Sequence, residues 1–225
     1  MKKVIYFTNV FPKYRRNIWQ KLLNQNLFNI KIFYGKNPLN GIDSQRKETI
    51  HNNQENLIYL KNYSIIGIIF WQSKVIRECI FSDFDKVIFL GEMNIISTWI
   101  SCLICKLRKK EIFFWTHGFY GNEGKIKSLF RKVFYKMADQ FFVYENMARD
   151  KMIKKGFNGE KIHVVYNSLD FEIQLNIFNQ LELRVENPLI NLFKNNLPTL
   201  FFIGRLTLKK KIDQLIQAVI GLNKK

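Results

Sequence analysis

The stretch EIFFWTHGFYGNEGKIKSLFRKVFYKMADQFFVYENMARDKMIKKGFNGEKIHVVY, Glu111 to Tyr166, decides the fold class. Glu111 to Thr116 is a short apolar run with the length and composition of a strand. From Lys125 to Met137, apolar residues recur at three- and four-residue spacing, which predicts a helix. Gln140 to Tyr144 reads as a strand, Asn146 to Lys155 as a helix and Ile162 to Tyr166 as a strand again. Alternation of this length implies parallel strands, because only a crossover helix brings the chain back to start a neighbour in the same direction.

The same alternation extends towards the N-terminus. Lys3 to Thr8 and Ile30 to Tyr34 read as strands around a helix from Tyr14 to Asn26 that carries Ile18, Trp19, Leu22 and Leu23. Gly35 to Asn56 is polar and reads as a long surface loop. Leu57 to Leu60 is predicted as a strand, Phe70 to Ile80 as a helix, Asp85 to Leu90 as a buried strand and Asn94 to Leu107 as a helix. The expected architecture is an α/β fold, a Rossmann-like parallel sheet with helices on both faces.

In such sheets ligands bind beyond the carboxyl ends of the strands. The residues there are Asn9 and Phe11, with Tyr14, Arg15 and Arg16 close behind, then Gly91 and Glu92, His117 and Gly118, Tyr144 and Glu145, and Asn167 and Ser168. His117 directly follows the apolar IFFWT run, where it either caps the strand or meets a ligand as hydrogen-bonding partner, acid or base. His51 and His163 receive no role, and the three histidines show no metal-ligand spacing.

Composition narrows the function classes. The 225 residues are 47% apolar and 15% aromatic, enough for a sizeable core. The formal net charge of +18 implies attraction to an anionic partner. Cys79, Cys102 and Cys105 follow no disulfide scaffold and read as buried thiols in a reducing compartment. After Lys2 and Lys3 the apolar run is too short for a secretory signal. Val87 to Cys105 has the length of a membrane span, yet Gly91, Glu92 and Asn94 interrupt it, so strand, polar turn and helix fit better. These features predict a cytoplasmic location. The helix at Lys125 to Met137 reads either as an interfacial membrane helix or as a core-facing helix of a basic protein. We take the core-facing reading, with Ile126, Leu129, Phe130, Val133, Phe134 and Met137 turned inward and the basic flank towards anionic lipid on the inner face of the membrane.

Near the end stands FFIGRLTLKKKIDQLIQAV, Phe201 to Val219. It reads as a strand from Thr199 to Ile203, a turn at Gly204, a basic cluster and a helix with Ile212, Leu215, Ile216 and Val219 on one face. Arg205, Lys209, Lys210 and Lys211 lie where a strand passes into a helix N-terminus, which suits either a phosphate site or a solvated basic turn.

Taken together, the segment from Phe113 to Asp170 resembles the second half of the N-terminal domain of the family 4 glycosyltransferases of GT-B fold. It shares a His-Gly after a strand, an Ala-Asp before a strand, a Lys-Lys-Gly-Phe closing a helix and an Asn-x-x-Asp turn. IGRLTLKKKIDQLIQAV resembles the start of that family's C-terminal nucleotide-sugar-binding domain. The resemblance implies a retaining transferase that needs no metal or cofactor and moves a sugar from a nucleotide-diphosphate donor to a glycan or lipid-linked acceptor in polysaccharide biosynthesis. It implies that Arg205 and Lys210, with Gly204 and Gly118, grip the donor, and that His117 is the catalytic histidine near the transferred sugar. Acceptor contacts are implied at Asn9, Phe11, Tyr14, Arg15, Arg16 and Glu92, although the glycine pair common in the family's first loop is missing.

The expected organisation is an acceptor-binding domain over 1–174, a linker region over 175–198 and an incomplete second α/β domain over 199–225, without the glutamate pair that binds donor sugar and ribose in the family. The alternative reading is a truncated, non-catalytic basic module that binds anionic membrane or a partner protein. Nucleic acid is not expected as a partner, since helix-turn-helix, zinc and RNP-type motifs are absent. The chain alone is expected to show little or no transferase activity. Donor turnover by purified residues 1–225 overturns that expectation.

Overall fold

The computed structural model describes residues 1–35, 54–121, 123–167, 171–182, 200–204 and 206–222. The loop expected at Gly35 to Asn56, the Asn-x-x-Asp turn, the linker region, His51 and Arg205 lie wholly or in part outside them. The chain divides into two compact units, Met1–Ile177 and Phe178–Lys225.

The first unit is built on the expected alternation. β1 (Lys2–Phe7), α1 (Arg16–Asn24), β2 (Phe28–Tyr34) and β3 (Leu57–Tyr59) form one wing. A hairpin of β4 (Asn62–Ile65) and β5 (Ile69–Gln72) and the helix α2 (Val75–Phe81) lead back to β6 (Lys86–Leu90). Then follow α3 (Ile96–Leu107), β7 (Glu111–Thr116), α4 (Lys125–Tyr135), β8 (Gln140–Val143), α5 (Asn146–Lys154), β9 (Ile162–Val164) and the start of α6 (Phe171–Glu182). Seven strands make one parallel sheet in the order β3-β2-β1-β6-β7-β8-β9. The strand order reverses between β1 and β6, which makes their carboxyl ends the switch point.

Strand alternation divides the core between the two faces. Val4, Tyr6, Ile30, Ile32 and Leu57 pack with Trp19 and Leu23 of α1. On the other face Ile5, Phe7, Val87, Phe89, Ile112 and Phe114 pack with Val75, Cys79, Cys102, Cys105, Phe134 and Met152 from α2 to α5. The three thiols are buried and free.

Three expectations are corrected. The helix placed over Phe70 to Ile80 begins only at Val75, because residues 69–72 pair antiparallel with residues 62–65. Lys74, at φ 64°, breaks the backbone between strand and helix. The hairpin turn places Ile66 (φ 56°) and Gly67 (φ 71°) in the left-handed region, at a cost of about 1–2 kcal/mol for a branched residue. The second correction concerns α4. Its buried residues are Arg131, Phe134 and Tyr135, while Ile126, Leu129, Phe130 and Val133 are 50–76% exposed. The core-facing reading therefore holds for Phe134, which is fully buried, and for Met137, which is partly buried against the same core, and not for the other four. The cause is polar: the Tyr135 hydroxyl lies 2.6 Å from Thr116 Oγ1 and within reach of the carbonyls of Gly118 (3.2 Å) and Gly91 (3.4 Å), either of which can accept its single proton. Hydrogen bonds available only inside turn that side of the helix inward.

In the second unit the basic stretch forms a short 3-10 turn at Leu208–Lys210, and α7 (Ile212–Leu222) follows as expected. The third correction is that residues 200–203 are exposed and make no strand among the described residues. A strand needs a neighbour for its backbone groups, and no described segment of this unit pairs with it.

Gly91 ends β6 with its backbone pressed on β7, where an added Cβ would lie 2.6 Å from Thr116 Cβ. Gly91→Ala is expected to cost about 1–3 kcal/mol, read as a lower urea midpoint with an unchanged slope.

Candidate functional site

The carboxyl edge holds two connected features, a ladder of stacked side chains and a cleft. The ladder starts at Arg15, which the 3-10 turn Lys13–Arg15 presents just before α1. Its guanidinium lies 5.1 Å from the Tyr144 ring centre, 5.8 Å from that of Trp115 and 5.7 Å from that of Tyr14. Nη2 donates to Asn167 Oδ1 at 3.0 Å, while Nε is buried with no hydrogen-bond partner among the described residues. Planar guanidinium on aromatic faces is the arrangement arginine adopts when it is partly desolvated.

The ladder continues to His117, whose ring centre is 4.4 Å from that of Tyr144 and 6.3 Å from that of Tyr120. Burial, then the Arg15 charge, lowers the His117 pKa below its ordinary 6.5, with Glu145 opposing. The ring is neutral at pH 7 and presents one donor and one acceptor. Gly118 follows at φ 71°, a backbone state glycine adopts readily. Its N–H donates to Thr116 Oγ1 at 3.1 Å, so the His-Gly turn is tied to the Tyr135 network.

The cleft lies beside the ladder and encloses about 1360 Å³. Glu92 and Met93 after β6, Ile68 and Phe70 of the hairpin, Trp99 of α3 and Phe130 of α4 contribute to its walls. Arg131 and Tyr120 close one side. Arg131 forms a buried ion pair with Glu123 (Nη2 to Oε1, 2.6 Å), and its guanidinium lies 5.1 Å from the Tyr120 ring centre. Burial works against charge on Arg131, but the hydrogen bonds to Glu123 and Tyr135 outweigh it and hold the arginine protonated. Burial raises the Glu92 pKa above its ordinary 4.5, Glu123 adds to the shift, and Arg131 and Lys127 oppose it.

Arg15, His117, Gly118 and Glu92 thus gather at one edge, as expected from their places at strand ends. Asn9 and Tyr14 border it. The Asn9 carbonyl accepts from Asn62 Nδ2 at 2.7 Å, and Tyr14 is 37% exposed beneath Arg15. Arg16 opens α1 and is half-buried. Phe11 is different: it is fully buried against Trp19 and Tyr34, at ring distances of 5.3 and 5.0 Å, and anchors the first loop without facing the cleft. Lys210 and Gly204 belong to the second unit, where Lys210 is exposed at the end of its turn. Tyr120, Glu123 and Arg131 escaped the sequence reading, because nothing in their spacing announces a buried ion pair. Among the described residues no three His, Cys, Asp or Glu side chains converge to hold a metal ion.

No family model matches the sequence, and no curated protein matches it. Among solved structures, the chain is similar to the UDP-GlcNAc 2-epimerase from Methanocaldococcus jannaschii, with 14% identity over 82% of this chain and 50% of that one, at a TM-score of 0.49. The UDP-N-acetylglucosamine 2-epimerase from Rickettsia bellii shows 16% identity over 85% of this chain and 50% of that one, at 0.49. The lipopolysaccharide outer core galactosyltransferase WaaB in its apo form shows 17% identity over 74% of this chain and 46% of that one, at 0.46. The chain spans about half the length of each of these structures.

Because the folded protein raises the Glu92 pKa, the stability conferred by the protonated carboxyl is present at low pH and lost as pH rises through that value. Glu92→Gln is expected to melt above the wild type at pH 8 and to coincide with it below about pH 4. A pH-independent difference between the two removes this account of Glu92.

Proposed function

We propose that this chain is the acceptor-side half of a GT-B nucleotide-sugar enzyme that transfers a sugar from a nucleotide-diphosphate donor to a glycan or lipid-linked acceptor with retention. The observation that carries the reading is the ladder Arg15–Tyr144–His117 standing beside a cleft at the switch point of a doubly wound sheet. The motif order from Phe113 to Asp170 and the Gly204–Lys210 stretch add to it.

Each group has a role consistent with its state. Neutral His117 offers a hydrogen bond to a sugar hydroxyl without adding charge next to the cationic Arg15. Glu92 accepts from, or when protonated donates to, an acceptor hydroxyl in the cleft. In the transfer, the anomeric carbon–oxygen bond to the diphosphate breaks and the acceptor oxygen bonds on the same face, its proton passing to the departing phosphate oxygen. Arg205 and Lys210 supply positive charge for that phosphate.

Activity is to be assayed with a protein that carries these residues and a complete nucleotide-sugar domain, on a panel of nucleotide-diphosphate sugars and lipid-linked or glycan acceptors. The expected product keeps the donor's anomeric configuration. Lys210→Ala is expected to lower kcat about 100- to 1000-fold, and His117→Ala about 100-fold, with melting temperatures little changed. An epimerised nucleotide sugar without transfer, or unchanged kinetics in both variants, overturns the assignment.

A further inference from the structure

The lysines of the first unit fall into two populations. Around the amino edge of the sheet and beside α1 they have acidic partners: Lys2 meets Asp85, Lys3 meets Asp83, Lys86 meets Glu111, Lys106 meets Asp139 and Lys21 meets Glu172. On α4 and α5 they do not. The two helices hold a single carboxylate, Asp150, and Lys125, Lys127, Lys132, Lys151, Lys154 and Lys155 form no ion pair among the described residues.

Three of these ammonium groups converge on the seam between α4 and α5. Lys155 Nζ donates to Ser128 Oγ at 3.3 Å, so it reaches from the end of α5 onto α4. Lys132, one turn beyond Ser128, reaches the other way, and its Nζ stands 3.8 Å from where a Cβ on Gly156 would lie. Lys151, one turn before Lys155, has its Nζ 3.5 Å from the Tyr120 carbonyl oxygen. Like charges one turn apart on a helix, as Lys151 and Lys155 are, destabilise it, and here a third faces them across the seam. A bound anion relieves that repulsion.

The seam leads into the cleft. Tyr120 lines the cleft, and so do Lys125 and Lys127 from the first turn of α4. Lys125 and Lys132 are seven residues apart, about 10 Å along the helix. Charges strung over that length suit a chain with repeated acid groups better than one small anion. Lysine presents a point charge on a flexible stem, without the fork that fixes a single phosphate or carboxylate in place. Lys132 and Lys151 are half-buried, so their charges are recessed where a single polymer chain reaches them and a flat surface does not.

We propose that the α4–α5 seam binds an acidic glycan, with its anionic groups against Lys132, Lys151 and Lys155 and one end directed into the cleft past Tyr120. This narrows the acceptor to a sugar chain bearing repeated carboxylate or phosphate groups, and in that respect it rests on the sugar-transfer reading; the binding step itself does not.

The test is a binding titration of the full chain with dye-labelled polygalacturonate, phosphomannan and uncharged dextran, in the absence of any nucleotide sugar. An acidic glycan is expected to bind at least about tenfold tighter than dextran at about 0.1 M salt and to weaken as salt is raised to about 0.5 M, and the tighter of the two acidic polymers names the acid group. Lys132→Gln/Lys151→Gln/Lys155→Gln is expected to weaken that binding at least about tenfold with a wild-type circular dichroism spectrum, whereas Lys2→Gln/Lys21→Gln/Lys31→Gln, which removes equal charge elsewhere, changes it less than about twofold. Protection of Lys132, Lys151 and Lys155 from acetylation by the bound glycan, read by mass spectrometry on the wild type, needs no variant and decides the matter even where a substitution impairs folding. Equal affinity for acidic and uncharged glycans overturns the proposal, as does an equal loss in the two triple variants or acetylation of the seam lysines that the glycan does not slow. So does a seam variant that loses binding to phosphatidylglycerol vesicles and keeps its affinity for the glycan. Since neither donor nor turnover is measured, these results leave the transfer reading standing, and a failed transfer assay leaves the binding result standing.

Discussion

The Tyr135 hydroxyl is the constraint on which the carboxyl edge depends. Buried against Thr116 and the carbonyls of Gly91 and Gly118, it ties the ends of β6 and β7 to the His-Gly turn and to α4. Burial pushes its pKa up to about 12, so the group stays a neutral donor across the physiological range. A buried hydroxyl left without partners costs about 1–3 kcal/mol, and in this orientation of the helix the group is satisfied. Arg131, one turn earlier on the same side, is carried inward and takes Glu123 with it.

That orientation explains the apolar exterior. The sheet already supplies bulky aromatic side chains on this face, with Phe7, Phe89, Phe114 and Phe141 all in one cluster. Close packing at fixed layer spacing then favours small groups from the helix above, and α3 supplies serines, a threonine and cysteines. Ile96, Ile100, Leu103 and Leu107 of α3 and Ile126 and Leu129 of α4 are left outside, while Ile104 packs against the core. Among the described residues no helix is long and apolar enough to cross a membrane, so these stripes are surface features of short helices.

The site has a division of labour that follows from its position. Residues at strand ends project into a shared space because parallel strands all finish at one edge. Arg15 and His117 meet across Tyr144 for that reason, from parts of the chain about one hundred residues apart. The apolar wall comes from elsewhere: the β4–β5 hairpin is anchored to the exit of β1 by the bond from Asn62 to the Asn9 carbonyl and brings Ile68 and Phe70 to the cleft.

The sequence alone determined the parallel α/β class, the order of the strands along the chain and the edge where titratable groups collect, because crossover geometry and local periodicity are properties of short segments. It also placed Arg15, His117, Gly118 and Glu92 at that edge. It could not place the hairpin, whose residues 69–72 share the spacing of a helix and become a strand only through pairing with residues 62–65. Nor could it orient α4, since periodicity locates an apolar stripe but not the polar bonds that decide which side faces in. The burial of Phe11 and the Arg131–Glu123 pair escaped it for the same reason: whether an aromatic anchors or contacts, and whether an arginine is solvated or paired, depends on neighbours distant in sequence. Tertiary structure decided these points because burial and hydrogen-bond satisfaction are properties of the assembled layers, and no local stretch contains them.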